Sequence, residues 1–302
     1  MKKLKSKIKY KIATNSKYTF ENRKKNFKNL CIILAGYKEF SYEVFFKRIE
    51  KFIENDIDVC IVSSGLYSNK LSEIARKNNW SYLSTKKNCV TIAQNIAIDL
   101  HKDAEFIYKL DEDIFITENY FSILKETYNN VLKDNNFNIG FIAPLIPING
   151  YGYSVILNKL NLSKLYEKKF EYPKMAAGSE MMIESSFDVA KFMWGEDNIV
   201  PSIDELNANF SKSEFEYSVC PIRFSIGAIL FTRETWLSMG YFKVAKGPCM
   251  GVDEAQFCEY CINTSHAIIV SNNCVVGHLG FGQQNKHMEE YYINVLSKKL
   301  DI

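Results

Sequence analysis

Three consecutive acids, Asp111-Glu112-Asp113, close the apolar run Phe106-Ile107-Tyr108-Lys109-Leu110. Acids in mid-strand are costly to bury, so the strand should stop at Leu110 and the acids should sit on the turn beyond it. In an extended turn, residues i and i+2 point the same way. Asp111 and Asp113 can therefore converge while Glu112 faces elsewhere. Two carboxylates at one spot repel unless a cation joins them, and oxygen ligands suit Mg2+ or Mn2+. The alternative for the same residues is a solvated acidic turn. A second acid pair, Asp253-Glu254, stands 140 residues further on at a helix start, and His278 closes a strand-like run after that. Acids in a first helical turn also suit the helix dipole, worth about 0.3–1 kcal/mol. A lone His at a strand end also serves as an ordinary hydrogen-bonding residue. Cys258, Cys261, His266, Cys274 and His278 are zinc-ligand types. However, Cys258 and Cys261 lie one helical turn apart among Phe257 and Ile262, as packed residues do, and the later spacings fit no common finger.

The elements that must position these residues follow from apolar periodicity. Leu30–Leu34 reads as a buried strand ending at Ala35-Gly36, and Ile57–Val62 as a second ending at Ser63-Ser64-Gly65. Trp80–Leu83 and Ile139–Ala143 are further strands, and helical spacing covers Phe40–Phe52, residues 68–78 with Ser68 as N-cap, Thr91–Leu100 and Glu118–Leu132. Strands alternating with helices imply right-handed crossovers and a parallel sheet, whose ligands bind beyond the carboxyl ends of the strands. Three such ends carry small or polar residues: Ala35-Gly36-Tyr37, Ser63-Ser64-Gly65 and Asp111-Glu112-Asp113. No GxGxxG or GxxxxGK[ST] cradle occurs.

Residues 144–220 break the pattern and read as an insertion, in which Tyr151 and Tyr153 could stack on a sugar or anchor a loop. Regularity returns with a strand over Phe224–Phe231, a helix over Arg233–Met239 stopped by Gly240, and a flexible link over Gly247–Gly251. A helix from Asp253, strands over His266–Val270 and Cys274–Val276, a mobile loop over Gly280–Gln284 and an amphipathic C-terminal helix follow. His101 and His287 fall on helix surfaces without a role.

The 302 residues, 47% apolar and 14% aromatic, can bury a substantial core, which excludes global disorder. Net charge is +3, but residues 1–28 hold eleven Lys or Arg against Glu21 alone, so this tail is +10 and the remainder −7. Such a tail is solvated and mobile, or attaches loosely to an anionic membrane surface at about 1 kcal/mol per basic residue. No basic, aromatic-interleaved patch recurs in the body, which argues against nucleic-acid binding. No apolar run approaches the roughly 18–20 residues of a membrane span, and no signal-peptide core follows the basic run. Several of the eight cysteines, among them Cys31, Cys60 and Cys274, lie in apolar runs. That points to reduced thiols and a cytoplasmic protein.

Taken in order, these pieces resemble the GT-A glycosyltransferases, most closely the large family 2 of nucleotide-sugar transferases, over about residues 29–143 and 221–280. Ile32–Glu39 resembles the first strand and its Tyr-Asn-Glu ending, with Lys38 in place of Asn. Asn88–Asn95 resembles the Asn-x-Gly-x-x-x-Ala-Arg-Asn stretch, with Val90 where Gly stands. Asp111-Glu112-Asp113 is similar to the Asp-x-Asp motif, Gly227–Phe242 to the acceptor-side strand, helix and Gly-Phe turn, and Asp253-Glu254 to the Glu-Asp pair with the acids exchanged. Ser63-Ser64 stand where the family often has a base-binding Asp, and 144–220 has no counterpart.

The resemblance implies an α/β fold of the GT-A, Rossmann-like kind: a mainly parallel sheet flanked by helices, with an inserted acceptor-side segment. It divides the chain into a basic tail (1–28), a nucleotide-sugar-binding half (29–143), an insertion forming the acceptor region (144–220) and an acceptor or catalytic half (221–302). It implies Asp111, Asp113 and His278 as ligands of Mn2+ or Mg2+. Donor contacts fall to Ala35, Gly36, Tyr37, Glu39, Ser64, Asn88, Asn95, Asp111 and Glu112, and the base is Asp253 or Glu254, the latter favoured by register. The implied reaction moves a sugar from a nucleotide-diphosphate donor, a UDP-sugar first, to a hydroxyl of a surface glycan or lipid-linked precursor, with inversion. The implied place is the cytoplasm, at the inner face of the membrane. A nucleotidyltransferase that makes nucleotide sugars and a non-catalytic glycan-binding domain are the alternatives.

Overall fold

The short apolar runs form strands and the longer amphipathic stretches form helices. A computed structural model describes residues 2–300, without the side chains of residues 2–6 and 283. Residue 1 of the basic tail and residues 301–302 of the last segment lie outside the described residues. In chain order the strands are β1 (Tyr18–Glu21), β2 (Asn29–Leu34), β3 (Ile57–Ser64), β4 (Ser81–Thr85), β5 (Phe106–Asp111), β6 (Ile114–Phe115), β7 (Asn138–Leu145), β8 (Tyr217–Val219), β9 (Ala228–Thr232), β10 (His266–Val275) and β11 (Gly277–His278). The chain forms two compact units. The first is Met1–Glu39, Ile53–Glu112 and Ala228–His266; the second is Phe40–Phe52, Asp113–Gly227 and Ala267–Ile302.

In the first unit the strands lie in the order β1-β4-β3-β2-β5-β9. The four central strands are mutually parallel, while β1 and β9 run antiparallel at either side. Cys31, Ile32 and Ile33 of β2 and Cys60 and Ile61 of β3 are fully buried on both faces, as a helix-covered parallel sheet requires. Leu34 pairs with Val62 on one side and Asp111 on the other, so three strand ends finish level. The helix Arg233–Met239 stops at Gly240, which takes the left-handed φ of 79° that a C-cap needs.

The basic stretch departs from the expected mobile tail. Lys2–Ala13 is helical, and Tyr18–Glu21 adds an antiparallel strand to the edge of β4. Ala13 is buried, the Tyr10 hydroxyl donates to Asp99 at 2.7 Å, and the Tyr10 ring meets the edge of Tyr241. These few anchors were hidden among the lysines.

In the second unit β7, β10 and β8 are neighbours, with β8 antiparallel to β10, and β6 and β11 form a separate antiparallel pair. β10 is one strand where two were expected. Its polar middle is satisfied rather than broken. Thr127 Oγ1 and Ser271 Oγ lie 2.9 Å apart, Ser218 Oγ donates to Asn272 Oδ1 at 2.9 Å, and Asn273 Nδ2 donates to the Phe210 carbonyl at 2.9 Å.

Segment 144–220 holds the short helices Gly152–Lys159, Ser163–Lys169, Met182–Ser185, Phe187–Met193 and Ile203–Phe210. Tyr153 is fully buried, packs on Tyr166 at 5.6 Å between centroids, and donates to the Lys174 carbonyl at 2.7 Å. Tyr151 is buried as well. Both are loop anchors, and no ring face is left for a sugar. Arg48, fully buried, ties the unit together. It pairs with Asp204 and donates to the carbonyls of Ile116 and Leu300 at 2.7 and 2.9 Å. Gly280–Gln284 is not a free loop, because Gln284 is buried and its Nε2 donates to the carbonyls of Ile183 and Ser186.

Candidate active site

β5 runs between β2 and β9 and carries its apolar residues into the core, with Ile107 and Leu110 fully buried. The strand reaches one residue further than expected, to Asp111. Beyond it the Glu112 N–H donates to the Leu34 carbonyl at 3.0 Å. The Glu112 carboxylate then turns back and accepts from the backbone N–H groups of Gly36 at 2.8 Å and Tyr37 at 3.0 Å. Its carboxylate thus shapes the turn after β2.

Tyr37 is 62% exposed and lays its hydroxyl on the Ser64 carbonyl at 2.6 Å, so its ring bridges the ends of β2 and β3. Asn88 is exposed and hydrogen-bonds the same phenol. Partial burial, followed by the Glu112 charge, raises the Tyr37 pKa. Gly65 makes this approach possible: it has φ of 81°, and a Cβ there would lie 2.4 Å from Asn88 Cβ.

Other expected donor contacts are engaged within the protein. Ser64 is buried, and its Oγ accepts from the Cys89 N–H at 2.7 Å, which pins the start of the helix Val90–Leu100. Ala35 is buried and extends the β2–β3 ladder through its N–H to Val62. Glu39 pairs with Lys70 at 3.0 Å. Asn95 departs furthest from a donor role. It is fully buried, its Nδ2 donates to the carbonyls of Ala13 and Phe242, and its Oδ1 accepts from Trp236 Nε1 and the Phe242 N–H. With its hydrogen-bonding positions filled, Asn95 is a latch between elements and has no face for a donor.

The second acid pair begins the helix Val252–Asn263. Asp253 is buried and accepts from Gln94 Nε2 at 2.8 Å, whereas Glu254 is half-buried and can be reached by a solute. Within the same unit lies a residue that the apolar reading of β5 overlooked. Lys109 is 2% exposed, and its Nζ sits 2.7 Å from Asp111 Oδ1. Burial pulls the pKa of this ammonium down, but the charges of Asp111, Asp253 and Glu254 outweigh it and leave the pKa above the ordinary lysine value. A lysine inside an apolar strand, two positions before an acid, was the available signal.

In the second unit β6 and β11 pair His278 with Ile114 and Gly277 with Phe115. The Leu279 N–H donates to the Asp113 carbonyl at 3.1 Å, and Asp113 Oδ2 lies 3.2 Å from His278 Nε2. Both residues are buried, and the Phe281 ring meets the imidazole edge-on at 4.2 Å between centroids. His278 Nδ1 is buried without a hydrogen-bond partner among the described residues. Gly277 is needed here, since a Cβ would fall 2.2 Å from Trp194 Cη2.

A carboxylate beside an imidazole is a donor set that Mn2+ accepts. Among the described residues no three His, Cys, Asp or Glu side chains gather as a metal-ligating group. Asp113 and His278 are two such side chains, and ions of this kind complete their shells with water and substrate phosphates. The residues present fit a divalent cation bound in that manner.

No protein family and no curated protein matches the sequence. Among solved structures, that of GalNAc-T7 with UDP, GalNAc and Mn2+ aligns at 11% identity with a TM-score of 0.48, covering 86% of this chain and 45% of that one. Glucosyl-3-phosphoglycerate synthase from Mycobacterium tuberculosis, in complex with Mn2+, UDP and phosphoglyceric acid, aligns at 13% identity with a TM-score of 0.43, covering 91% and 79%. A mycobacterial protein aligns at 13% identity with a TM-score of 0.42, covering 90% and 75%. The chain thus spans less than half the length of the GalNAc-T7 structure.

Proposed function

We propose that the chain is a metal-dependent glycosyltransferase that moves a sugar from a nucleotide-diphosphate donor to a hydroxyl of a glycan or lipid-linked precursor, with inversion. One observation carries the reading. An acid run leaves the carboxyl end of a central parallel strand, and its last acid pairs with an imidazole at 3.2 Å. Strand ends of this kind are where open α/β sheets bind ligands.

Each residue then has a physical task. Asp113 and His278 would hold a divalent cation, whose charge offsets the negative charge that builds on a departing diphosphate. Tyr37 and Asn88 present an exposed ring and amide at the β2 and β3 ends, suited to a nucleotide base and its ribose. Glu112 keeps that turn in shape through two backbone hydrogen bonds. Glu254 accepts the proton of the attacking hydroxyl, and Asp253, fixed by Gln94, orients the start of the helix that carries it.

The exposed Ile8 and Ile12, together with Lys7, Lys9 and Lys11, suit the helix Lys2–Ala13 to an anionic membrane surface at the inner leaflet. Among the described residues no helix is long and apolar enough to cross a membrane. Co-sedimentation with anionic vesicles, lost when the three lysines become Gln, tests this contact.

The test of the activity is a donor screen with Mn2+, starting from UDP-sugars. Release of nucleoside diphosphate that depends on both metal and acceptor is the expected result. Pyrophosphate release would instead show nucleotidyl transfer. Binding without release would leave a glycan-binding domain.

A further inference from the structure

We propose that Cys89 and Cys249 form a reversible disulfide site, which takes a low-molecular-weight disulfide as its oxidant and latches the exposed strap 247–251 to the start of the helix Val90–Leu100.

The two thiols stand 160 residues apart in the chain but share one compact unit, with their Sγ atoms 2.7 Å apart. Both residues are buried. Cys89 is fixed from the core side, since it is the N-cap of the helix and its N–H donates to Ser64 Oγ at 2.7 Å. Cys249 belongs to a strap whose other residues, Gly247, Pro248, Met250 and Gly251, are exposed. Gly247 and Gly251 have φ of 78° and 73°, and a Cβ at either would meet nothing within 4 Å. The strap is thus hinged at two unpacked glycines. Between them Cys249 takes φ of 60°, a left-handed conformation that residues with a side chain rarely adopt. The other contacts of its thiol, with Ala245 and Gly247, lie in its own segment. Cys89 is therefore what joins that thiol to the helix. The Val90 N–H donates to the Pro248 carbonyl at 2.9 Å and keeps the two cysteines in register. Gly251 is the N-cap of the helix Val252–Asn263, so a bond at Cys249 also fixes the entry to Asp253 and Glu254. Cys31, Cys60 and Cys274, by contrast, are fully buried within β2, β3 and β10.

The exchange balances in two steps. Cys249, on the strap, loses its proton and attacks one sulfur of the oxidant, which forms a mixed disulfide and releases one small thiol. Cys89 then loses its proton and attacks the Cys249 sulfur, so the protein disulfide closes and the second small thiol leaves. Two electrons and two protons pass from the cysteines to the oxidant. Burial, followed by the hydrogen bond with Cys249, raises the Cys89 pKa, so exchange is slow until the strap opens.

The test incubates the protein with oxidised glutathione, alkylates the remaining thiols and maps the peptides without reduction. One linked peptide joining Cys89 to Cys249, lost on treatment with dithiothreitol, is the expected result. Cys89→Ser should stop at a glutathione mixed disulfide on Cys249, because no second thiol resolves it. Trypsin cleavage after Lys246, which is exposed beside the strap, should slow about fivefold in the oxidised wild type, since the latch suppresses local opening. No linked peptide, a different cysteine partner, or cleavage as fast as in the reduced protein overturns the proposal. If Cys89→Ser does not fold, the map and the cleavage rate of the wild type decide alone.

Discussion

The carboxyl end of β5 and the β6–β11 pair receive consecutive pieces of one acid run and treat them differently. Asp111 keeps its side chain 37% exposed and faces an ammonium, whereas Asp113 is 3% exposed and faces an imidazole. An ammonium cannot yield its place to a metal as a fellow ligand, but a neutral imidazole nitrogen can, because it carries a lone pair. Two acids of one short motif thus meet different partners, an ammonium and an imidazole, and under the proposed function only the second pair would accept a metal. Motif spacing alone shows neither partner.

The largest expected effect tests that second pair. Asp113→Ala should lower Mn2+-dependent UDP release by about 10³-fold, the scale seen when electrostatic stabilisation of a developing charge is removed. Asp111→Ala should cost clearly less. Initial rates across a manganese titration check this, and equal losses in both variants would dissolve the distinction. Chelation of the metal should silence the wild type in the same assay.

A second test belongs to the helix Val252–Asn263. Glu254→Gln should lower kcat by about 10²-fold, within the usual range for general-base catalysis. UDP affinity measured by calorimetry should stay as in the wild type, since the amide keeps the shape and loses only the proton acceptor. A change confined to KM would place Glu254 in binding instead.

Glu112 lies between the two aspartates and sharpens the contrast, because it serves the fold. A carboxylate accepting backbone N–H groups contributes about 1.5–3 kcal/mol, and each kcal/mol shifts Tm by roughly 2–4 °C in a domain of 150–250 residues. Glu112→Gln should therefore lower the melting temperature by several degrees, read by circular dichroism, as the turn at Gly36 and Tyr37 loosens.

The parallel sheet and its level strand ends were legible in the sequence because buried strands write themselves as continuous apolar runs. The acid run was legible for the converse reason, since three successive charges end an apolar run. What stayed hidden was satisfaction by distant partners. Ser271, Asn272 and Asn273 look like a break in β10 until Thr127, Ser218 and Phe210 supply their hydrogen bonds. Asn95 looks like a ligand residue until Trp236 and Phe242 fill it. Lys109 is different, because its signal was local. The alternation read as turning Asp111 and Asp113 to one side also turns Lys109 to the side of Asp111, but a lysine amid Ile107, Tyr108 and Leu110 reads as an exception to the pattern rather than a part of it.

The smallest effect concerns the exposed ring at the end of β2. Tyr37 offers two things: a face 62% open and a hydroxyl tied to the Ser64 carbonyl at 2.6 Å. If the face holds a nucleotide base, the hydroxyl matters only by keeping the ring in place. A hydrogen bond of this kind contributes about 0.5–1.5 kcal/mol net, so Tyr37→Phe should weaken UDP binding by no more than about tenfold. Tyr37→Ala also removes the stacking surface, worth about 1–3 kcal/mol per base, and should weaken it further. Calorimetry with UDP and Mn2+ separates the two. Equal losses in both variants would make the hydroxyl the contact and the ring a bystander, while no loss in either would remove Tyr37 from the donor site and leave it as a brace between β2 and β3.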